Sequence, residues 1–565
     1  MKRRTLEPNL IRANVAASLL PATFLVCASA QTTQPATSRP VDQPSLLAEP
    51  VRSDGPLNDR EMSFHVLNRL AFGPTPGLVD RVIDMGCAQW IHEQLRPGHI
   101  DDSDVERAIR EKFPSLHMSM ENIFATYRPE YPRPHTTEQT AHLNTLRGKI
   151  HRELSRSVVY RAVHSRRQFN EVIVEFWRNH FNVDQNKGNV GFLANHYEVN
   201  VIRRHAFGYF RDMVMASAQH PAMLIYLDNS VSRVPLSPNE QRIVDRYVGK
   251  KNVPRLVKAL RRRPGLNENY ARELMELHTL GVAGPYTQAD VTNLARLLTG
   301  WTARWSTPDS RFPNAPRTYG FVFDPDWHDT LEKRILGVRI PRNRGLPMGE
   351  SVVRRLAAHP SAEWFISAKL CRYLVSDNPS RELVTRVTRE FHRTKGFLPK
   401  VYEFIIEDPE FASRDNFRSK FKTPFEFVVS AVRSSGARVT NAKPVLRELY
   451  SMGQPIYRCL DPTGYYDQAE AWLDPGVLVH RWAFALRLSA GAIPGVELPD
   501  EPYESLARFE AAHIKDSLVH AIVPGGVDRQ TTTAIDQAME GRAIDRRFTH
   551  MVLGLILGSP TFQQQ

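Results

Sequence analysis

Cysteine is scarce, with four in 565 residues. Cys27 falls in the leader described below, which leaves Cys87, Cys371 and Cys459 at wide spacing. No C-x-x-C, haem-attachment or zinc-finger spacing occurs, and at most one disulfide can form, so a disulfide-built scaffold is excluded. Buried apolar thiols are the simpler reading. Long apolar runs are missing after the first 30 residues and mean hydropathy is -0.39, which excludes a polytopic membrane protein. Also absent are G-x-S-x-G, H-E-x-x-H, G-x-G-x-x-G, the P-loop and the EF-hand loop. Those absences argue against the commonest hydrolase, zinc-protease, dinucleotide and NTPase chemistries.

What is present is ordinary globular composition: 42% hydrophobic, 24% charged and 9% aromatic. Length alone would suggest roughly 3–4 domains. The formal charge is +13, and Lys2, Arg3, Arg4 and Arg12 against Glu7 put +3 of it in the first 30 residues. Elsewhere Arg and Lys are interleaved with Asp and Glu, which reads as a solvated basic surface. Residues 250–263 carry Lys250, Lys251, Arg255, Lys258, Arg261, Arg262 and Arg263, but no aromatic residue interleaves after Tyr247. A nucleic-acid platform is therefore not expected.

Met1–Ala30 reads as an export signal: a basic start, a modest apolar stretch over Ala13–Val26, and the small-x-small site Ala28-Ser29-Ala30. It is too short, and interrupted by Pro21, for a lasting membrane anchor. Val26 before Cys27 is too large for a lipoprotein site, and Arg3-Arg4 leaves the twin-arginine route open. Residues 31–57, rich in Pro, Ser, Thr and Gln, read as a tether. The chain is expected to be periplasmic or extracellular.

Beyond it the periodicity is helical. Helices are expected over Glu61–Leu70, Gly77–Leu95, Arg152–Phe181, Asn195–Ala218, Asn267–Leu280, Gln288–Thr299, Gly349–Val375, Arg381–Phe391, Lys400–Ile406, Glu426–Ser434 and Val477–Leu488. Strand signal is limited to Thr318–Phe323 and Arg334–Ile340, expected to close one ribbon around Asp324–Lys333. The expectation is a mainly α fold, a large multi-helical unit with one short β-hairpin and long loops.

The stretch Asn267–Gly281 carries the most chemistry. On a 3.6-residue helix Asn269, Arg272, Glu273 and Glu276 share one face, flanked by Tyr270, Leu274 and Leu277 on one side and Met275 on the other. Apolar residues on both sides place that polar ridge toward an interior or cleft. Two carboxylates beside one guanidinium leave an acid uncompensated unless a metal, a second cation or a proton satisfies it. Such an acid is a candidate general acid/base or ligand. The alternative is a structural Arg–Glu–Asn network between helices.

Three further stretches follow. Glu171, Glu175, Arg178 and Asn182 form a second stripe, and His180 falls among Ile173, Phe176 and Trp177 as a core histidine. An apolar run from His220 ends at Asp228-Asn229, equally readable as a turn. His328-Asp329, at the expected ribbon tip, is a proton-transfer or metal element or an exposed Asx turn.

In this order the stretches resemble a bacterial family known as domain of unknown function 1800. The resemblance is carried by His65–Pro74, Phe176–Phe181, His220–Asn229, Asn267–Gly281 with Tyr286–Val291, Leu298–Trp301, His328-Asp329 with Leu336-Gly337, His359–Asp377, Lys422–Val428 and Gly453–Pro455. It spans residues 58–565, which implies one large family unit in place of several domains. The family looks exported in many bacteria, often beside a sulfatase-like companion, and brings no established reaction. Ser230–Leu266 departs from the pattern as an insertion, Arg178 stands where His is common, and Leu331 replaces a usual Gly.

Two functions follow as expectations. One is a cell-envelope or extracellular hydrolase, with or without the assistance of a divalent metal ion, with Glu273, Glu276, His328 and Asp329 catalytic and Arg272, Asn269, Asn182 and Asn229 holding substrate. The other is a non-enzymatic envelope module that binds a polymer or an exported partner protein, its polar stripes acting as struts.

Overall fold

The computed structural model describes residues 55–128, 136–250, 252–261, 264–305 and 319–565. The expected export leader, most of the expected tether, Thr318, Lys251, Arg262 and Arg263 lie outside the described residues. Within these residues the fold is helix packed on helix, with three two-stranded ribbons and no helix long and apolar enough to cross a membrane.

Local chemistry explains where helices begin. Asn58, Thr136, Ser237, Thr287 and Thr423 each cap a helix through a box closed by an acid or amide three residues on. Two helices begin at His-Pro pairs. There the Nδ1 atoms of His220 and His359 accept from the backbone N–H of Ala222 and Ser361, both at 3.1 Å, while proline fills the first turn.

The long expected helices are segmented. Gly77–Leu95 becomes Leu78–Met85 and Cys87–Gln94, and Arg152–Phe181 becomes Thr137–His164 and Gln168–His180. Gly349–Val375 breaks before Pro360 into Leu346–Ala357 and Pro360–Leu374, as the ring's missing N–H requires. Over Asn195–Ala218 the chain runs through a π-helical turn, Glu198–Arg203. The C-terminal helix Arg546–Gly558, which sequence periodicity did not mark, packs on Pro475–Ser489.

The Gln168–His180 helix is buried on nearly all sides. Phe169, Ile173, Val174 and Trp177 are closed to solvent, and the Trp177 indole donates to Tyr402 Oη at 2.7 Å. A helix apolar around most of its circumference belongs in the core, and its few polar residues must then be paired or face a cavity.

The expected ribbon is replaced by two. Tyr319–Phe323 pairs antiparallel with Trp301–Trp305, and Lys333–Ile335 forms its own hairpin with Val338–Ile340. The third ribbon joins Arg438–Val439 to Val496–Glu497. The reason lies between the strands. His328 is buried, with Nδ1 2.9 Å from the Thr299 carbonyl and Nε2 3.0 Å from the Arg344 carbonyl. Asp329 accepts from Arg296 Nε at 2.8 Å and Lys333 Nζ at 3.2 Å. The linker is thereby nailed to the Gln288–Leu298 helix instead of turning back as a free tip.

Lys333 and Asp329 are both only a few per cent exposed. Replacing Asp329 with Ala strands that ammonium without its carboxylate. The expected loss is about 3–5 kcal/mol of unfolding free energy, read by urea denaturation. A loss below about 1 kcal/mol would show the pair to be dispensable.

Candidate functional site

A cleft of about 220 Å³ opens where the helices Gln168–His180, Pro360–Leu374 and Pro424–Ser434 meet under the loop Thr463–Gln468. Glu175, Asn179 and His180 come from the first helix, Lys369 and Arg372 from the second, Glu426 from the third, and Asp467 from the loop.

Asn179 holds the roof. Its Nδ2 donates to the Tyr465 carbonyl at 2.6 Å, and its Oδ1 accepts from the Tyr465 N–H at 2.7 Å. Gly464 makes this approach possible: its φ is +76°, and a Cβ there would lie 2.3 Å from the Asn179 carbonyl oxygen. At the third helix, the Gln454 amide oxygen accepts from the Phe425 N–H at 2.8 Å, and Glu426 Oε2 accepts from the Thr423 N–H at 2.8 Å as part of the cap.

Beneath the cleft runs a buried chain of charges. Glu171 is held by Arg203 at 2.7 and 2.9 Å, and Arg203 Nε reaches Glu198 Oε1 at 2.9 Å. Glu198 also accepts from Arg178 at 3.0 and 3.1 Å and from the Tyr457 hydroxyl at 2.7 Å. Arg178 then pairs with Glu175. Three carboxylates thus share two guanidiniums, and one negative charge is left over.

The pKa directions locate that surplus. Burial raises Glu198, but Arg178 and Arg203 outweigh it and bring its carboxyl down to about 2. Glu171 is likewise lowered, mainly by Arg203 against burial. Glu175 goes the other way: burial raises it, Arg178 only partly compensates, and Glu198 and Glu426 raise it further. The uncompensated carboxyl is the one that faces the cleft.

Across the cleft, burial pushes the Lys369 ammonium down to about 8, with Asp467 opposing and Arg372 reinforcing the shift. Lys369 Nζ lies 3.0 Å from His180 Nδ1, and His180 Nε2 lies 3.2 Å from the His278 carbonyl. A carbonyl only accepts, so His180 carries its proton on Nε2 and turns the Nδ1 lone pair to Lys369. Burial and the Lys369 charge keep that imidazole neutral by holding its pKa well below the usual value. One ammonium N–H is thus committed and two remain for a guest.

The expected site residues are dispersed around this cleft. The Asn269–Glu276 ridge sits beside it: Leu277, one turn beyond Glu273, lines the wall. Glu273 is half-buried, and burial, Glu276 and Asp461 raise its carboxyl. Asn269 is exposed, and Arg272 is tied to Gln288 at 2.8 Å. Asn182 bonds the Cys459 and Asp461 carbonyls at 3.1 and 2.9 Å and lines a small hollow next to the cleft. Asn229 is buried and bonds the Leu298 and Trp301 carbonyls at 3.2 and 2.9 Å. No hydrogen bond or ion pair of Glu273 or Glu276 reaches His328 or Asp329 among the described residues, so the two pairs do not form one constellation. Nor does any group of three or more His, Cys, Asp or Glu gather to hold a metal ion among those residues.

His180, Lys369 and Glu426 lie in stretches that carry the family resemblance, and Glu175 stands immediately before one of them, on the second polar stripe. The Glu175 stripe has the same surplus of acid over arginine as the Glu273 ridge, but its outer partners, Glu198 and Arg203, come from another helix. The family model described as Protein of unknown function (DUF1800) matches residues 65–564. No curated protein and no solved structure matches the chain.

The charge chain makes stability depend on pH. Glu198 titrates at about 2 in the folded protein against an ordinary value of 4.5. Its contribution, on the order of 3 kcal/mol, is therefore present above pH 4.5 and is lost as pH falls toward 2. Urea midpoints measured across that window are expected to drop for the parent protein. In Glu198→Gln they should start lower and lose a part of this slope, the remainder belonging to other lowered carboxylates such as Glu171; an unchanged slope would remove Glu198 from that role.

Proposed function

The chain belongs to the DUF1800 family, whose description carries no reaction, and from the cleft's own chemistry we propose that it is an exported hydrolase working by general acid–base catalysis. The carrying observation is the pair of opposed groups on one cleft, Glu175 with its pKa raised and Lys369 brought down to about 8. The reading takes Glu175 as the carboxylate and Lys369 as the ammonium, the form Lys369 holds below about pH 8. Glu175 then takes a proton from water as that water attacks, and Lys369, oriented by His180, gives a proton to the leaving atom. Arg178 stays paired with Glu175 and Glu198 throughout and sets the base strength without touching substrate.

Phe176, Phe365, Tyr373, Tyr465 and Tyr466 supply ring surface to the cleft, and Asn179, Gln454 and Gln468 supply amides. Rings with interspersed amides suit a hydroxyl-rich substrate such as an envelope glycan. Glu273 is one helical turn from the wall residue Leu277, and in this reading it acts from beside the cleft. His328 and Asp329 hold structure in this reading. The second reading, an envelope binding module, draws on the same charge chain acting as a strut between helices.

The test is hydrolysis of a panel of nitrophenyl glycosides and esters by the purified chain. A bell-shaped pH profile is expected, its alkaline limb near pH 8. Glu175→Gln and Lys369→Met should each lose about 10²–10⁴-fold in rate with circular dichroism unchanged. Equal turnover by folded Glu175→Gln and Lys369→Met proteins would overturn the assignment, and absence of turnover with retained glycan binding would favour the binding module.

A further inference from the structure

A second and larger cleft, of about 700 Å³, lies at the other end of the same helices. Gln168 begins the helix that carries Glu175 and lines this second cleft, while Arg433 ends the helix that carries Glu426 and lines it too. Seven residues separate each pair, about 10 Å along a helix axis. The two clefts are therefore distinct sites on one rigid frame.

Arg433 is the unusual group here. It is 4% exposed. Its Nε donates to the Gly73 carbonyl at 3.1 Å and its Nη1 to the Val163 carbonyl at 2.8 Å. Among the described residues Nη2 has no hydrogen-bond partner, it is not sealed from solvent, and Arg433 lines the cleft, so Nη2 faces it. No carboxylate lies within ion-pair distance of this guanidinium among the described residues. A buried cation without a counter-charge is costly, and burial alone depresses Arg433, to about 9.

The rest of the lining fixes the kind of anion. Arg81 and Arg438 are exposed lining residues without ion pairs among the described residues, whereas Arg166 is already engaged by Asp104 at 3.1 Å. Glu93 and Glu501 also line the cleft. Three available guanidiniums against two carboxylates leave a single positive charge, which matches a monoanion and disfavours a polyanionic chain. The walls are aliphatic: Pro76, Leu78, Met85, Pro499 and Pro502. Trp90 is only 6% exposed and offers no open ring face. Gly436 keeps the floor low, since at φ +68° an added Cβ would sit 3.2 Å from Pro76 and 3.5 Å from Pro499.

We propose that this cleft binds an aliphatic monocarboxylate, its carboxylate on Nη2 of Arg433 and its alkyl body against the prolines, Leu78 and Met85. The guanidinium offers a hydrogen-bond donor where the carboxylate arrives, and the walls exclude water around it. This site does not depend on the hydrolase reading, because binding is measured without turnover.

Calorimetric titration of the full chain with decanoate, below its micelle concentration, tests the assignment. One saturable site is expected, with decanol and citrate each at least 10-fold weaker. Arg433→Gln and the exposed-wall variant Met85→Glu should each lose at least 10-fold, and Glu175→Gln should bind as the parent does. Met85→Glu leaves the Arg433 contacts to Gly73 and Val163 intact, so it keeps the test valid if Arg433→Gln fails to fold. Equal binding of decanol would reduce the site to an apolar crevice, and equal binding of citrate would reduce it to a basic patch. Either result, undiminished binding by Met85→Glu, or no binding at all would overturn the proposal.

Discussion

The arrangement of Glu171, Arg203, Glu198, Arg178 and Glu175 is the constraint on which the rest of the molecule depends. A buried helix that carries two acids and an arginine cannot pack until each charge is met, and its own residues do not suffice. The π-helical turn Glu198–Arg203 supplies the missing carboxylate and guanidinium in one short segment, and Tyr457 closes the set from the chain that precedes the cleft roof. Packing of the core, placement of the loop and the ionisation of Glu175 are thus settled together. Charges in this position specify a register more than they stabilise, since an apolar replacement of equal shape would pack as well.

A second theme is the handling of cations in the core. Arg69, Arg418, Arg433 and Arg481 are buried and depressed chiefly by desolvation. They donate to backbone carbonyls, as Arg481 does to Lys422 and Arg69 to Asn416, and Arg418 and Arg481 lie over the rings of Phe417 and Phe421. Carbonyl oxygens and ring faces replace carboxylates as partners, which suits arginine because its delocalised charge is weakly hydrated. Unlike Arg433, none of the other three lines a described cleft. What separates a structural guanidinium from a candidate binding group here is access, not charge.

The fold class was legible because helical periodicity is local, and so were several starts, where Asn58, Thr287 and Thr423 announce their caps. Strand pairing was not legible: the Arg334–Ile340 run turns back on itself at Leu336-Gly337, both at positive φ, while His328 and Asp329 bond to the Gln288–Leu298 helix and the Arg344 carbonyl, and Tyr319–Phe323 pairs with Trp301–Trp305. The site was half legible. The reasoning that an acid in excess of arginine on a flanked stripe marks a reactive carboxyl applies to Glu175 as well as to Glu273. Sequence spacing shows only the partners on the same helix, so it could not reveal that Glu198 and Arg203 sharpen the surplus on one stripe. Lys369 was invisible because nothing in His359–Asp377 announces that this lysine meets His180 and, among the described residues, lacks a carboxylate within ion-pair distance.

The two clefts stand in a definite mechanical relation. The helices Gln168–His180 and Pro424–Ser434 run in opposite senses between them, each beginning at one cleft and ending near the other. Close-packed helices move as bodies before they bend, because their interiors have few voids to absorb a displacement. The frame that sets Glu426 among the charges raising Glu175 is thus the same frame that sets Arg433 at the second cleft, so each cleft keeps its own charges while both draw their geometry from one packed pair of helices.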